Sequence, residues 1–348
     1  MHMPQMDLTN LSLTQVTEFL VFLGLPKYRG TQVFAWLYRP GIENFSQMTD
    51  LSKDLRETLA AHAGFDWPQI AAVEHSRDGS IKYGFKLEDD NYVEAVLIPE
   101  GDRNTLCVSS QVGCAMACGF CLTGSIGFRR NLMPGEIVGQ VVRVRDRLLD
   151  MKSAAGLSNL VFMGMGEPLA NFDNLLTAIA ILTEQRGLDF SPRRITVSTC
   201  GLVPKIIELG RRTKVNLAVS LHAVDDAIRS QLMPINKKYP VAELLEACRN
   251  FPMPRRKRIM IEYILIRDLN DSVADAEKLA RMLQGIPCKI NLLPYNESAG
   301  LPYKRPTDTV IERFQEVLWQ AGYTVLLRSS RGADISAACG QLAGRLIS

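Results

Sequence analysis

At 348 residues the chain exceeds the roughly 250 to 300 at which a single hydrophobic core stops growing, so one large domain with a smaller one is the first expectation. Hydrophobic residues at 47% and charged residues at 22% exclude disorder and fibre. The early apolar stretch at 19–25 is far shorter than the roughly 18 residues a membrane span needs, and no basic segment precedes it, so a cytoplasmic protein without a membrane partner is expected. The net charge of +3 is unevenly spread: residues 1–100 carry 8 Lys and Arg against 14 Asp and Glu, which leaves +9 for residues 101–348 and hints at a polyanionic partner there.

Apolar residues at three- and four-residue spacings predict helices over 13–25, 31–38 and 51–62, the last capped by Ser52 or Asp50. From 70 to 98 the pattern changes to short β-type runs with turn chemistry at 77–80 and 89–91, an antiparallel hairpin or meander. Beyond residue 100, apolar strands (105–109, 159–163, 194–199, 215–221, 258–264, 288–293, 323–328) alternate with helical stretches (135–149, 172–183, 203–209, 241–249, 273–283, 309–320). Strands without polar alternation are buried on both faces, which makes this an α/β protein with a parallel sheet, a complete or partial (β/α) barrel. The expected division is a helical module at 1–65, a β-hairpin bridge at 66–100 and the barrel at 101–348.

In such folds chemistry gathers where strands end. Polar clusters fall there at Gly166-Glu167-Pro168, Ser198-Thr199-Cys200, Ser220-Leu221-His222 and Tyr295-Asn296. Eight cysteines in a reducing compartment are not a permanent disulfide framework, so clustered ones point to metal or redox chemistry. Cys114, Cys118 and Cys121 form a C-x3-C-x2-C loop directly after the first barrel strand. Three thiolates suit an iron–sulfur cluster with one open iron, whereas a zinc site needs a fourth ligand, for which Cys107 is available.

C-x3-C-x2-C with Phe120 before the last cysteine, followed by Gly166-Glu167-Pro168 after the next strand, resembles the radical S-adenosylmethionine (SAM) enzymes. The likeness narrows over Leu106-Cys107-Val108-Ser109-Ser110-Gln111, Ser220-Leu221-His222-Ala223, Pro234-Ile235-Asn236-Lys237-Lys238 and Ala337-Ala338-Cys339-Gly340-Gln341, and in the N-terminal module over Tyr28-Arg29-Gly30-Thr31-Gln32. Over essentially the whole chain it is similar to the RlmN/Cfr family of RNA methyltransferases.

That resemblance implies one [4Fe-4S] cluster on Cys114, Cys118 and Cys121, and two SAM molecules per turnover. Gly166, Glu167, Ser198, Ser220, Leu221, His222 and Asn296 would contact SAM. Cys339 would carry the methyl group, Cys107 would close a transient disulfide with it, and Glu94 would accept the ring proton. Cys200, Cys248 and Cys288 match no family role and are expected to pack in the core. His222 is open to a second reading as a catalytic base.

The implied reaction is methylation of adenosine carbon 2 in 23S rRNA at the peptidyl-transferase centre and in tRNA beside the anticodon, by a monomer served by a flavodoxin-like electron donor. The alternatives are a Cfr-type carbon-8 enzyme, against which Arg331 and the N-terminal module speak, and a non-catalytic zinc-stabilised RNA-binding protein. Arg129-Arg130, Arg193-Arg194, Arg211-Arg212, Lys237-Lys238 and the run at 255–258 are the candidate phosphate contacts.

Overall fold

The computed structural model describes residues 5–153, 155–254, 257–297, 300–328 and 330–343. Its centre is one ten-stranded sheet. In chain order the strands are β1 (Gln69–His75), β2 (Ile81–Lys86), β3 (Tyr92–Glu100), β4 (Arg103–Cys107), β5 (Leu157–Phe162), β6 (Ile195–Thr199), β7 (Asn216–Ser220), β8 (Ile259–Leu265), β9 (Cys288–Pro294) and β10 (Val325–Leu327), and they lie side by side in that same order. From β4 to β10 every neighbouring pair is parallel, whereas β1 to β4 pair antiparallel. The meander expected as a bridge is therefore hydrogen-bonded into the barrel's own sheet, with Val96 opposite Cys107.

Helices on the connections cover the sheet: α4 (Pro134–Asp150), α5 (Phe172–Thr183), α6 (Val203–Arg212), α7 (Asp226–Leu232), α8 (Val241–Arg249), α9 (Val273–Met282) and α10 (Asp308–Gln320). No hydrogen bonds join β10 to β4, so the barrel is partial and open along one side. The expected strands and helices are present with ends shifted by a few residues. The strand expected over 105–109 is shorter, ending at Cys107: Val108 N still donates to Val161 O of β5 at 2.9 Å, but Ser109 bonds elsewhere, its N–H to buried Gln140 of α4 at 2.9 Å and its Oγ donating to the Glu94 carbonyl at 2.6 Å. Short-range patterning missed α7 and the small antiparallel ribbon of Gln111–Gly113 with Phe128–Asn131.

The N-terminal module holds α1 (Leu13–Phe22), α2 (Tyr28–Leu37) and α3 (Lys53–His62). Ser52 caps α3, accepting from Leu55 N at 3.4 Å, while Asp50 instead accepts the Trp36 indole N–H. No helix among the described residues is long and apolar enough to cross a membrane.

Two glycines of α4 let the preceding segments lie against the barrel. A Cβ on Gly135 would stand 2.0 Å from Thr9 Oγ1, and one on Gly139 would stand 2.3 Å from Pro68 Cδ. In a free helix Gly139→Ala gains about 1 kcal/mol of propensity, but overpacking against a rigid proline ring costs about 1 to 3 kcal/mol. Gly139→Ala is therefore expected to lower stability in chemical denaturation, and a stabilised variant would contradict this packing.

Candidate active site

The small ribbon sets the base of the cysteine loop. Gly113 has φ +73° and a Cβ there would lie 1.8 Å from Gly127 O, so only glycine closes this turn. The loop is then tied at three points: Cys114 N to Gly127 O (3.0 Å), Gly119 N to Leu232 O (2.9 Å) and Leu122 N to Gly340 O (2.7 Å). Cys114, Cys118 and Cys121 are half-buried free thiols on the wall of a cavity of about 170 Å³, which Gly166, Glu167, Ser198, Ser220 and His222 also line.

Burial pushes the Cys114 thiol up to about 12, and holds Cys118 well above its ordinary value, with the charges of Cys121 and Cys114 adding to the effect. Three thiolates here are costly unless a cationic centre neutralises them. Among the described residues no three His, Cys, Asp or Glu side chains are arranged as ligands of one ion. Three thiols presented by one short loop to one cavity are the soft donor set that suits an iron–sulfur cluster. Cys107, the fourth ligand that a zinc site would need, does not line the cavity that the three loop cysteines share.

Glu167 is buried and its carboxylate is held in place by backbone: Oε2 accepts from Cys200 N at 2.8 Å and Oε1 from Leu169 N at 3.0 Å. Burial raises its pKa, against these hydrogen bonds. Each oxygen retains acceptor capacity for an ammonium group. Gly166, at φ +96°, passes so close to Gln111 that a Cβ would meet its Cβ at 2.5 Å.

His222 is no general base. Its Nδ1 accepts the Ile264 N–H at 3.1 Å, its ring meets Phe120 edge-on at 4.9 Å, and burial, with the Arg229 charge, pulls its pKa down to about 3. The ring is neutral at pH 7, with Nε2 carrying the proton. Leu221, expected among the SAM contacts, is buried and does not line this cavity, and its backbone is engaged within the protein, N–H to Glu262 O at 3.0 Å and carbonyl with Ala223 N at 2.8 Å.

Behind these strand ends lies Arg229 of α7, fully buried. It donates to Cys200 O (2.7 Å), Ser220 O (3.1 Å), Leu221 O (3.0 Å) and Asn236 Oδ1 (2.9 Å). Burial lowers its pKa, opposed by the nearby Cys200 and Cys118 thiols. The clamp could not be foreseen from sequence because α7 was not. Cys248 and Cys288 pack in the core as expected, but Cys200, although buried, also faces the cavity.

A second cavity of about 600 Å³ adjoins the first inside the open barrel, and Cys121, Glu262 and Cys339 line both. Cys107 and Asn296 line the second. Asn296 Nδ2 reaches the Cys339 carbonyl at 3.4 Å, so this side chain steadies the Cys339 loop rather than lining the smaller cavity. Cys339 is solvent-exposed at the opening, but the protein around its thiol pushes it up to about 11, with the Glu262 charge contributing. Burial, followed by the charge of Cys339, raises buried Cys107.

Glu94 shares the strand face of Val96 and Ile98, which line this cavity, but does not itself line it. Lys82 Nζ lies 3.7 Å from its Oε1, and Ala343 N donates to its Oε2 at 2.8 Å. Two cavity residues escaped the sequence reading: Glu262, pushed up to about 7 by burial, and Asn291, which donates to it at 2.9 Å. Both are polar side chains inside apolar strands, the one available signal.

Residues 6–64 match the family described as ribosomal RNA large subunit methyltransferase N-terminal domain, and residues 108–283 match the radical SAM superfamily. The dual-specificity RNA methyltransferase RlmN of Desulfotalea psychrophila is 56% identical over 344 residues, covering 97% of this chain and 95% of that one. The chain belongs to the RlmN family. The RlmN of Geobacter sulfurreducens is 53% identical, covering 98% and 92% of the two chains. The crystal structure of a radical SAM methyltransferase from Sphaerobacter thermophilus superposes with a TM-score of 0.91 at 44% identity, covering 98% of this chain and all of that one. Membership in the RlmN family brings a [4Fe-4S] cluster and SAM as cofactors, and the crowded thiols and the amide-held carboxylate of Glu167 fit them.

Replacing Arg229 by Met would take the guanidinium donors from the buried carbonyls of Cys200 and Ser220 and from Asn236 Oδ1, whereas Leu221 O would keep the Ala223 N–H at 2.8 Å. The expected loss is about 3 to 5 kcal/mol in chemical denaturation, and a loss under about 1 kcal/mol would show the clamp to be dispensable. His222, depressed in the folded state, binds its proton more readily when unfolded. Its contribution to stability is therefore complete above about pH 6.5 and is lost as pH falls toward about 3, by up to about 1.4 kcal/mol per pH unit. Denaturation curves of the parent and His222→Gln should diverge over that window and run parallel above pH 7; parallel curves throughout would refute it.

Proposed function

We propose that this chain methylates carbon 2 of adenosine in 23S rRNA and in tRNA, with Cys339 as the methyl-carrying residue. The observation that carries the reading is the position of Cys339 on the wall common to both cavities, beside the cysteine loop on one side and Cys107 on the other. Carbon 2 of adenine is electrophilic and cannot attack a methyl sulfonium, so a polar transfer is closed to it. When bound, the cluster and SAM supply the methyl group and the one-electron chemistry that opens another route.

The protein's own work is to hold sulfur and move protons. Glu167 and the strand-end hydroxyls of Ser198 and Ser220 orient the cofactor. Cys339 Sγ carries the carbon to the base and is left bonded to the RNA through it. Glu94 takes the ring proton, its Oε2 keeping acceptor capacity beside the amide of Ala343. Cys107 Sγ, as thiolate, then attacks Cys339 Sγ, forming the S–S bond as the sulfur–carbon bond breaks; the electron pair of that bond goes to the released carbon, which takes up a proton, the one held by Glu94 being available, and leaves as the methyl of methyladenosine. The raised pKa of Cys107 means that this attack requires its proton to be removed at the moment of reaction.

Mass spectrometry of nucleosides from a deletion strain complemented with this chain should show 2-methyladenosine in both RNAs; 8-methyladenosine in its place overturns the regiochemistry, and unmodified tRNA beside methylated rRNA overturns the double substrate. Cys339→Ala should abolish both product and crosslink, whereas Cys107→Ala should accumulate protein covalently bound to RNA on denaturing gels. A Cys107→Ala enzyme that turns over freely would remove Cys107 from the cycle.

A further inference from the structure

Several basic residues of this chain are already committed to carboxylates. Arg130 is locked between Asp89 (2.6 Å) and Glu136 (2.7 Å), Arg143 pairs with Glu43, Arg145 pairs with Asp146 (2.7 Å), and Arg212 reaches Glu208 at 3.4 Å. Lys257, Arg258, Lys289, Arg328 and Arg331 differ: all five line the larger cavity, and among the described residues no carboxylate lies within ion-pair distance of any of them. Lys257 Nζ donates to Lys214 O at 2.7 Å and Arg258 Nη1 to Lys257 O at 3.1 Å, both backbone carbonyls. Glu100 and Glu262 share the cavity wall, and Glu262 feels the charge of Arg328 without an ion pair to it. Arg255 and Arg256 lie outside the described residues.

We propose that these five cations form a track that holds the RNA backbone along the open side of the barrel while one base reaches inward to Cys339. Lys257 and Arg258 immediately precede β8 and Lys289 is the second residue of β9, so three charges sit at the starting edge of the sheet. Arg328 and Arg331 follow β10, the edge strand, and lead toward Cys339. The seven residues of β8 span roughly 20 Å, room for consecutive phosphates. Partial burial and the charge of Arg193 hold the Lys257 pKa below its ordinary value, as expected where cations crowd with no counter-ion.

An acidic electron-donor protein would also suit a basic surface, but it must approach the cysteine loop. Lys257, Arg258 and Lys289 stand at the opposite ends of the strands. A polyanion that enters the cavity itself meets all five charges, and RNA is such a partner. Unlike the paired arginines, these positions hold no ion pair that RNA phosphates must displace, so affinity acquires a salt dependence set by their number.

The inference rests on the RNA methyltransferase reading. The test uses holoenzyme, an rRNA fragment and a chemical reductant, with Lys257→Gln/Arg258→Gln and, because its side chain is exposed and no fold contact is at stake, Lys289→Gln alone. The double variant should raise the KM for RNA about tenfold with kcat within about twofold, and the slope of log affinity against log salt should shrink by about 0.7 for each cation removed. Unchanged KM and slope in both variants, with the parent methylating normally, overturns the track. So does a defect seen only with a protein electron donor at unaltered RNA affinity, which would make the surface a reductant dock. A parent enzyme that makes no methyladenosine refutes instead the function beneath the inference.

Discussion

A single buried arginine makes the polar end of this barrel possible. Where parallel strands stop, carbonyls point into a space that must stay dry and open for a cofactor, and each buried carbonyl without a donor costs about 1 to 3 kcal/mol. Arg229 satisfies those of Cys200, Ser220 and Leu221 at once. Cys200 in turn gives its amide to Glu167, so the clamp extends from β7 through β6 to the loop after β5. The same guanidinium places a positive charge behind Cys118, where three thiolates would otherwise repel one another.

From this fixed edge the two cavities follow. The smaller is closed by the cysteine loop and strand ends, the larger by the inner faces of β3, β4, β8 and β9 and the segment after β10. Cys339 belongs to both because its loop is tied across the opening, Gly340 O to Leu122 N and Cys339 O to Asn296 Nδ2. The antiparallel meander contributes through register: pairing Val96 with Cys107 puts Cys107 on the cavity face and Glu94 two residues further along that face. An open barrel is the shape such chemistry requires, since a base attached to a large RNA cannot enter a closed one.

Much of this was legible in the chain. Helices α5 and α8 and most barrel strands announce themselves because continuous apolar runs and three-to-four spacing are local signals. The cysteine loop and Gly166-Glu167 were legible because their spacing carries the chemistry. Other features depend on residues distant in sequence. Arg229 on an unremarked seven-residue helix looks like any solvated arginine until its partners at 200, 220 and 236 are assembled around it. Asp50 and Ser52 were equal candidates to cap α3, and only the reach of Trp36 decides between them. Likewise Arg130 and Arg258 each sit in a run of basic residues, yet one is consumed by Asp89 and Glu136 and the other is not.

The central claim is that Cys339, and no other thiol, receives the methyl group. Peptide mass spectrometry of reconstituted holoprotein, incubated with methyl-labelled SAM in the absence of RNA, tests it most directly. One labelled methyl is expected on the peptide containing Cys339 and none on Cys107 or Cys200. Label on either of those residues, or an unlabelled Cys339 in protein that goes on to methylate RNA, would contradict it.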